Sequence, residues 1–431
     1  MPETYLANST VTSDPRLLKL KAYLVNAVAP EMQNQSTLKP ADRNSVRNLL
    51  FEVYVRTKAD LKPEIRERIL DAALADLIGY GPLDLLLPDP EISEIMVNGP
   101  KHIFVERNGE VLETDVQFED DNHLLRIIDR IVSPLGRRVD SDNPTADARL
   151  PDGSRVNVVI PPVAVDGPHV TIRKFLQTKM TMDDLVAMDA LTIYMAKFLE
   201  ACVVTRLNIL VTGNTSSGKT TVLNALSGFI PDKERIVTIE DAVELKLRQR
   251  HVVRLETKLP NVDGNGAVGV RELVRNALRM RPDRIVVGEV RGGEAMDMLQ
   301  AMNTGHTGSL TTLHANSPRD GTSRLETMSM MAGLDMPLQA IRKQIAAAIN
   351  LIVHLARLPD GSRKMTHITE LSGMEGEVIT LTDIFKFEQT GVTPQGKIIG
   401  QLRPTNMRPL FTPRLEAAGF KLGGEIFGAG L

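Results

Sequence analysis

Cysteine is nearly absent from this sequence. Cys202 is the single cysteine among 431 residues, so the chain can form neither an internal disulfide nor a CxxC metal site. This usage is typical of proteins in a reducing compartment. We interpret Cys202, which lies in an apolar helical stretch, as a small buried hydrophobic residue. The eight histidines include no HExxH motif and no dense cluster, which argues against a structural zinc site.

Long apolar runs are also missing. No stretch reaches the roughly 18 consecutive apolar residues that a membrane-spanning helix needs. The N-terminal segment MPETYLANSTVTSDPR lacks the charged and then apolar parts of a signal peptide. We therefore expect a cytoplasmic protein that has no membrane span of its own and reaches a membrane only through a partner.

Neither a strong positive charge nor many aromatic residues are present. The formal net charge is -3, so no global positive field gathers nucleic acid. The chain has no tryptophan and only 4% aromatic residues, which leaves few platforms on which bases can stack. Both observations argue against a nucleic-acid motor, and we expect no nucleic-acid partner.

The length of 431 residues predicts two or three domains. Apolar residues recur at helical spacing up to residue 78, which predicts an N-terminal helical region over residues 1–78 that begins with a polar stretch. Short strands and turns, including the Asn108-Gly109 hairpin signal, predict a small α+β domain over 79–175 with a helix over 121–132. The mostly polar residues 176–184 are interpreted as a linker.

The C-terminal part, residues 185–431, predicts an α/β domain. Helical stretches alternate there with short apolar runs at 208–212, 236–239 and 285–287. Such runs are typical of strands in a parallel sheet that is covered on both faces.

A phosphate-binding loop is the strongest single motif. The match to GxxxxGK[ST] consists of Gly213, Asn214, Thr215, Ser216, Ser217, Gly218, Lys219 and Thr220. An apolar strand precedes it and a helix follows from Thr221, which is the context that the motif requires. The backbone N–H groups and the helix N-terminus would bind phosphates, Lys219 would reach the β- and γ-phosphates, and the Thr220 hydroxyl would bind Mg²⁺. The sequence therefore predicts an ATP and Mg²⁺ site.

Glu289 is the predicted catalytic carboxylate. It ends the apolar run Ile285–Val287 after one intervening glycine, where a neighbouring strand would bring an acid towards the phosphates. A carboxylate there can polarise the attacking water. The presence of both Lys219 and Glu289 argues against a nucleotide-gated scaffold with negligible turnover.

Three further segments make the sequence resemble the secretion-ATPase superfamily. Residues 239–245 (IEDAVEL), 281–291 (RPDRIVVGEVR) and 305–316 (GHTGSLTTLHAN) are similar, in this order, to the acidic box, Walker B motif and histidine box of that superfamily. Segments at 79–99, 147–157, 340–346 and 381–385 resemble its CpaF-type branch, the ATPases of tight-adherence (Flp) pili. The resemblance covers roughly residues 17–420.

The resemblance implies a RecA-like P-loop ATPase domain and several residue roles. Glu240 would help to position the water or the metal, and Asp241 would help to hold Mg²⁺. His306 and His314 would sense the γ-phosphate, since a neutral histidine can donate a hydrogen bond to a phosphate oxygen. Arginines of the preceding domain would close over the nucleotide as arginine fingers do, and the sequence does not say which one. The candidates are Arg149, Arg155 and Arg173.

The same resemblance implies a partner and a place in the cell. It predicts a homohexameric motor at the inner face of the bacterial inner membrane, which drives a pilus platform protein in that membrane. The alternative is a type IV secretion ATPase that exports DNA or effectors. Many pilus-extension and type II secretion ATPases carry a four-cysteine zinc loop, and a chain with Cys202 alone cannot. Whether the motor extends or retracts a pilus is not written in the sequence.

Overall fold

The computed structural model describes residues 14–35, 42–107, 109–175, 180–258, 260 and 265–428. The polar start of the chain, Asn108 and residues 176–179 of the predicted linker lie outside the described residues. Two compact units are present, one built from described residues up to Phe175 and the other from Met180 onward. None of the described helices is long and apolar enough to span a membrane.

The first unit begins with three helices. They are α1 (Pro15–Gln35), α2 (Arg43–Arg56) and α3 (Pro63–Ile78). Each turns an apolar stripe towards the other two, so that Leu24, Leu50 and Leu74 are buried together. Pro63 occupies the first turn of α3, where its missing N–H costs nothing.

A six-stranded antiparallel sheet completes the first unit. Its strands are β1 (Ile92–Asn98), β2 (His102–Arg107), β3 (Glu110–Glu113), β4 (Thr145–Arg149), β5 (Arg155–Val159) and β6 (His169–Arg173). Their order is β3-β2-β1-β6-β5-β4. Helix α4 (Asp121–Val132) lies at the residues that the sequence predicts, and its buried Leu124 and Ile128 share a core with Val156 and Ile172 of the sheet.

A buried charge cluster joins the N-terminal helices to the start of α4. The Nζ atom of Lys21 lies 2.7 Å from carboxylate oxygens of Asp76 and of Glu119, and Nε2 of His123 lies 3.1 Å from Asp76. Burial opposes the charge of Lys21, but its two carboxylate partners outweigh that effect and raise its pKa. Carboxylate and imidazole groups such as these are of the kinds that ligate metal ions. In this cluster, the ammonium group of Lys21 supplies the positive charge between the two carboxylates.

The second unit surrounds a nine-stranded sheet. Its strands are β7 (Ile209–Gly213), β8 (Ile236–Glu240), β9 (Val252–Glu256), β10 (Arg284–Val287), β11 (Leu310–His314), β12 (Leu351–Arg357), β13 (Arg363–Glu375), β14 (Val378–Val392) and β15 (Ile398–Pro404). The order is β15-β14-β13-β12-β7-β11-β10-β8-β9. Pairing is parallel from β12 to β9 and antiparallel from β12 to β15.

Helices cover both faces of the parallel part. They are α5 (Met182–Ala187), α6 (Ile193–Val204), α7 (Lys219–Ser227), α8 (Val270–Ala277), α9 (Glu294–Asn303), α10 (Pro318–Met330), α11 (Leu338–Ala348), α12 (Thr412–Ala417) and α13 (Gly424–Phe427). Ile209 and Val211 of β7 face one apolar cluster, and Leu210 faces the other. All residues of β7 and β8 are buried, as expected for strands covered on both faces. The predicted α/β architecture is thus confirmed.

The structure differs from the sequence predictions in two places. Helix α5 begins within the predicted linker, because Thr181 caps it and Asp184 completes a capping box with the Thr181 backbone. Residues 176–184 are mostly polar in composition. Within 182–184, however, the polar side chains belong to the first turn of helix α5. The sequence analysis also did not predict strands β12–β15, whose antiparallel part carries half-exposed residues and therefore lacks a continuous apolar run.

Candidate nucleotide site

The predicted P-loop connects β7 to α7 and adopts a shape that only glycine allows at two positions. A Cβ atom at Gly213 would lie 2.4 Å from the carbonyl oxygen of Leu355, and Gly218 has a φ of +95°. At either position, a residue other than glycine would require the backbone to move. Ser216, in the middle of the loop, also has a positive φ of 58°. Asn214, Thr215 and Ser216 are exposed, so the loop is open to a ligand.

Lys219 lies inside this loop. Its Nζ atom is 3.0 Å from the carbonyl oxygen of Asn214 and 3.3 Å from Nδ1 of His314, and the residue is 8% exposed. The Ser217 hydroxyl donates to the same Asn214 carbonyl. Lys219 is the first residue of α7, followed by half-buried Thr220 and Thr221. A buried ammonium group beside a helix N-terminus suits a polyphosphate, so these residues fit a nucleotide.

Parallel pairing brings the ends of several strands to the same edge of the sheet. His314, the last residue of β11, lies beside Gly213 of β7. Glu289 follows β10, the other neighbour of β11. As a result, Nε2 of His314 is 2.9 Å from Oε1 of Glu289, and Nη2 of Arg291 donates to Oε2 of Glu289 at 2.8 Å. Lys219, His314, Glu289 and Arg291 thus form one chain of polar contacts.

The groups around His314 keep its imidazole ring neutral at neutral pH. Burial, and then the neighbouring ammonium group of Lys219, lower the pKa of His314, while Glu289 acts in the opposite direction. When Nδ1 of the neutral ring accepts from Lys219, the proton lies on Nε2, which is 2.9 Å from Oε1 of Glu289. On the other side, the hydrogen bond to Glu289 raises the pKa of Arg291.

The two acidic-box residues have different surroundings. Glu240 is 4% exposed, and its Oε2 atom accepts hydrogen bonds from the backbone N–H groups of Glu244 and Leu245 at 2.7 and 2.9 Å. It therefore holds the backbone after β8. Asp241 is exposed, with its Oδ2 atom 3.7 Å from Arg291. A cleft of about 320 Å³ is lined by Asp241, Val270, Glu289, Arg291, Gly292 and Glu294. Of the two acidic-box residues, Asp241 is therefore the one that lines the same cleft as Glu289.

His306 does not reach this edge. It precedes β11 by four residues, whereas His314 ends that strand, and a five-residue strand spans about 17 Å. The loop of His306 is held at the amino edge, where Asn208 accepts hydrogen bonds from Gly308 and Ser309. Within this chain His306 therefore lies away from the P-loop, and its contact with the γ-phosphate stays a prediction.

The three candidate arginines lie side by side in the first unit. Arg149 of β4 pairs with Arg155 of β5, which pairs with Arg173 of β6. Directly paired residues of antiparallel strands point to the same face, and this face is opposite to that of the buried Val156 and Ile172. The strand register therefore places the three arginines in one row across this face of the sheet.

Two residues beside the P-loop were missed by the sequence analysis. Nδ1 of His354 lies 2.8 Å from the hydroxyl of Thr212, and Nε of Arg363 donates to the Ser216 carbonyl at 2.9 Å. Burial lowers the pKa of His354 to about 4, and His367 adds to this. Neither residue belongs to a recognisable motif, and both lie on strands that had not been predicted. A prediction of β12 next to β7 could have found His354.

Comparison with known proteins places the chain among secretion proteins. The sequence model of the family described as type II/IV secretion system protein matches residues 76–391. A Mycobacterium tuberculosis protein provisionally named for conjugal transfer is 38% identical over 71% of this chain and 88% of its own length. The type IV secretion system protein VirB11 of Brucella suis is 33% identical over 67% of this chain and 88% of its own length.

One solved structure is also similar to this chain in sequence. The crystal structure of the Brucella suis VirB11 ATPase in complex with sulphate is 30% identical and covers 67% of this chain and 95% of that chain, with a TM-score of 0.38. The family match includes the P-loop, Glu289 and His314, and it confirms the resemblance to secretion ATPases that the motifs predict. The chain therefore belongs to the family of type II/IV secretion system proteins.

Proposed function

We propose that this protein hydrolyses ATP to ADP and phosphate and uses the reaction as a motor. The observation that carries the proposal is the contact chain from Lys219 through His314 to Glu289, which places a cation, a neutral imidazole and a carboxylate beside an open P-loop. A phosphate-binding loop alone would also suit a small-molecule kinase. The adjoining carboxylate favours activation of water.

The residues divide the chemistry as follows. Backbone N–H groups of the loop and the start of α7 bind the phosphates, and Lys219 exchanges the Asn214 carbonyl for the β- and γ-phosphates. Thr220 and Asp241 would hold Mg²⁺, which offsets charge on the phosphates. Glu289 orients the attacking water and accepts its proton. Arg291 and His314 hold this carboxylate in position, and His314 can turn to a phosphate oxygen because it is neutral.

Exchange of Glu289 for glutamine tests the catalytic assignment. The variant keeps the size of the side chain and removes the charged base, so ATP binding should remain near wild type while turnover falls about 10²-fold or more. Phosphate release measures turnover, and calorimetry with a non-hydrolysable ATP analogue measures binding. Glu388→Gln, on the remote strand β14, is the matched control. Turnover of Glu289→Gln within about a factor of two of wild type would exclude the role.

The arginine row supplies a second test. We infer that Arg149, Arg155 or Arg173 offsets charge on the transferred phosphoryl group, and replacement of the critical arginine by alanine should lower hydrolysis at least about 10²-fold. Arg126→Ala, on the exposed side of α4, controls for loss of charge in the same unit. If all three variants hydrolysed ATP within a factor of about two of wild type, the first unit would contribute no such group.

Two cellular functions follow from the proposal. In the first, a homohexamer at the inner face of the inner membrane drives the platform protein of a tight-adherence pilus, as the resemblance at residues 79–99 supports. In the second, the chain powers type IV secretion. The names of its relatives, conjugal transfer protein and type IV secretion system protein, favour that candidate.

Loss of the gene in its host separates the two functions. The deletion strain, complemented with wild type or with Glu289→Gln, is compared for pilin on the cell surface and for transfer of DNA or effector proteins. Loss of surface pilin alone supports the pilus motor, and loss of transfer alone supports type IV secretion. Unchanged pilin and transfer would contradict both.

A further inference from the structure

The strand β12 brings a second backbone against the P-loop. It pairs in parallel with β7, so that Leu355 lies next to Gly213. The carbonyl oxygen of Leu355 occupies the space that a side chain at Gly213 would need. One residue earlier in the same register, the imidazole of buried His354 contacts the Thr212 hydroxyl. The base of the loop therefore rests on β12.

Arg363 contacts the middle of the same loop. As the first residue of β13, it donates through Nε to the carbonyl oxygen of Ser216. Ser216 has a left-handed backbone conformation, with a φ of 58°, which is unfavourable for a residue other than glycine. A hydrogen bond from a charged donor is among the stronger single contacts that can hold such a residue.

The turn between β12 and β13 positions Arg363. Asp360 accepts hydrogen bonds from the Ser362 backbone and hydroxyl and from the Ile398 backbone, which lower its pKa to about 2. On the other side of Arg363, the ammonium group of Lys364 contacts Asp189. The backbone that carries Arg363 is thus held on both sides.

The guanidinium group of Arg363 has one hydrogen-bond partner among the residues that the structure describes. That partner is the Ser216 carbonyl. The side chain is exposed, so it contributes little to the core. Its position is explained by the loop rather than by packing.

From these contacts we propose that Arg363 is a positioning residue for nucleotide binding, which holds the P-loop in its phosphate-binding shape through the Ser216 carbonyl. The inference rests on the proposed function, since it concerns the same site. A loop that is already ordered loses less conformational freedom when phosphates bind. The contact therefore strengthens the binding of ADP and of ATP equally, because both nucleotides present their phosphates to the same loop.

A matched pair of variants isolates the hydrogen bond. In Arg363→Gln the side-chain amide nitrogen takes the chain position of the arginine Nε, so the donor remains and the charge is lost. Arg363→Met has the same reach without a donor. We expect the Met variant to bind ADP and a non-hydrolysable ATP analogue about tenfold more weakly, which corresponds to about 1.4 kcal/mol. The Gln variant should stay within about threefold of wild type.

The measurements distinguish a loop effect from other causes. Calorimetry gives both dissociation constants, kinetics should show a raised KM with kcat within about twofold, and the thermal midpoint without nucleotide should not change. Arg403→Met on the remote strand β15 controls for loss of a surface charge and should bind as wild type does.

Three outcomes would overturn the inference. Equal losses in the Gln and Met variants would assign the effect to charge, and a loss for the triphosphate alone would assign it to direct contact with the γ-phosphate. Unchanged affinity in the Met variant would leave the contact without a role. In each case a wild type that binds nucleotide leaves the proposed function intact, whereas a wild type that binds neither nucleotide would remove both.

Discussion

The two edges of the nine-stranded sheet use similar residues in opposite ways. At the amino edge, Arg284 is 0% exposed and donates to Glu234 and to the carbonyl oxygens of Val203 and Gly308. At the carboxyl edge, Arg291 has a side chain that is 60% exposed and shares Glu289 with His314. The first arginine is enclosed by fixed partners, while the second faces a cleft.

This difference indicates where stability and function reside. Removing one partner of a buried ion pair is strongly destabilising, because it leaves the other charge buried and uncompensated. Groups at the open edge contact mainly one another, and a phosphate can replace such contacts. The amino edge therefore maintains the fold, and the carboxyl edge is available for chemistry. The predictions below test this division, from the largest expected effect to the smallest.

Lys219→Ala should abolish hydrolysis and leave the fold intact. In the proposed function the ammonium group binds the β- and γ-phosphates, so nucleotide affinity should fall and turnover should drop by at least about 10³-fold. The thermal midpoint should remain near wild type. Calorimetry and phosphate release measure the first two quantities, with Lys397→Ala in the turn after β14 as control. Unchanged affinity for a non-hydrolysable analogue would contradict the P-loop assignment.

Arg284→Met should have the opposite profile. Removal of the guanidinium group leaves Glu234 buried without its main partner, so the free energy of unfolding should fall by about 3–5 kcal/mol. Nucleotide affinity of the folded protein should change by less than about threefold. Urea unfolding measures the loss, with exposed Arg281→Met as control. The double variant Arg284→Met with Glu234→Leu should recover part of it, and equal instability of both variants would argue against an uncompensated charge.

His354 predicts a pH dependence of stability. Its pKa of about 4 in the folded chain lies below the value of about 6.5 in an unfolded chain. The folded state therefore prefers the neutral ring, and this contribution is complete above about pH 6.5 and lost as the pH falls towards 4. The loss should reach about 3 kcal/mol. His354→Gln should flatten this acid limb in urea unfolding, and identical slopes in both proteins would exclude His354 as its source.

His314 should report the charges of the carboxyl edge. Because Lys219 lowers its pKa and Glu289 raises it, Lys219→Ala should shift the titration of His314 upward and Glu289→Gln should shift it downward. NMR of ring-labelled histidine measures both shifts, with His314→Gln for assignment. Shifts of the same sign in the two variants would show that His314 does not lie between these charges.

The sequence predicted the parts of the site that local chemistry determines. The P-loop could be recognised because its glycines, lysine and threonine lie within eight consecutive residues and act together through one backbone turn. Helix α4 could be placed because the apolar positions that define it lie within the helix itself. Glu289 followed from an apolar run that ends in an acid, and its partners could not be derived from that run.

Long-range pairing decided the rest. Arg363 reaches Ser216 from 147 positions away, and no local pattern marks β13 as a neighbour of the loop. The arginine row likewise depends on strand register. Arg149, Arg155 and Arg173 lie on three different strands, and only the pairing of those strands makes them neighbours.

His306 and His314 show the boundary between the two kinds of information. The sequence by itself determined that both histidines belong to one box beside a P-loop ATPase motif set. Only the tertiary structure decided that one of them, His314, reaches the edge of the sheet that carries the P-loop. The physical reason is that β11 separates them, and a parallel strand sends its two ends to opposite edges of the sheet.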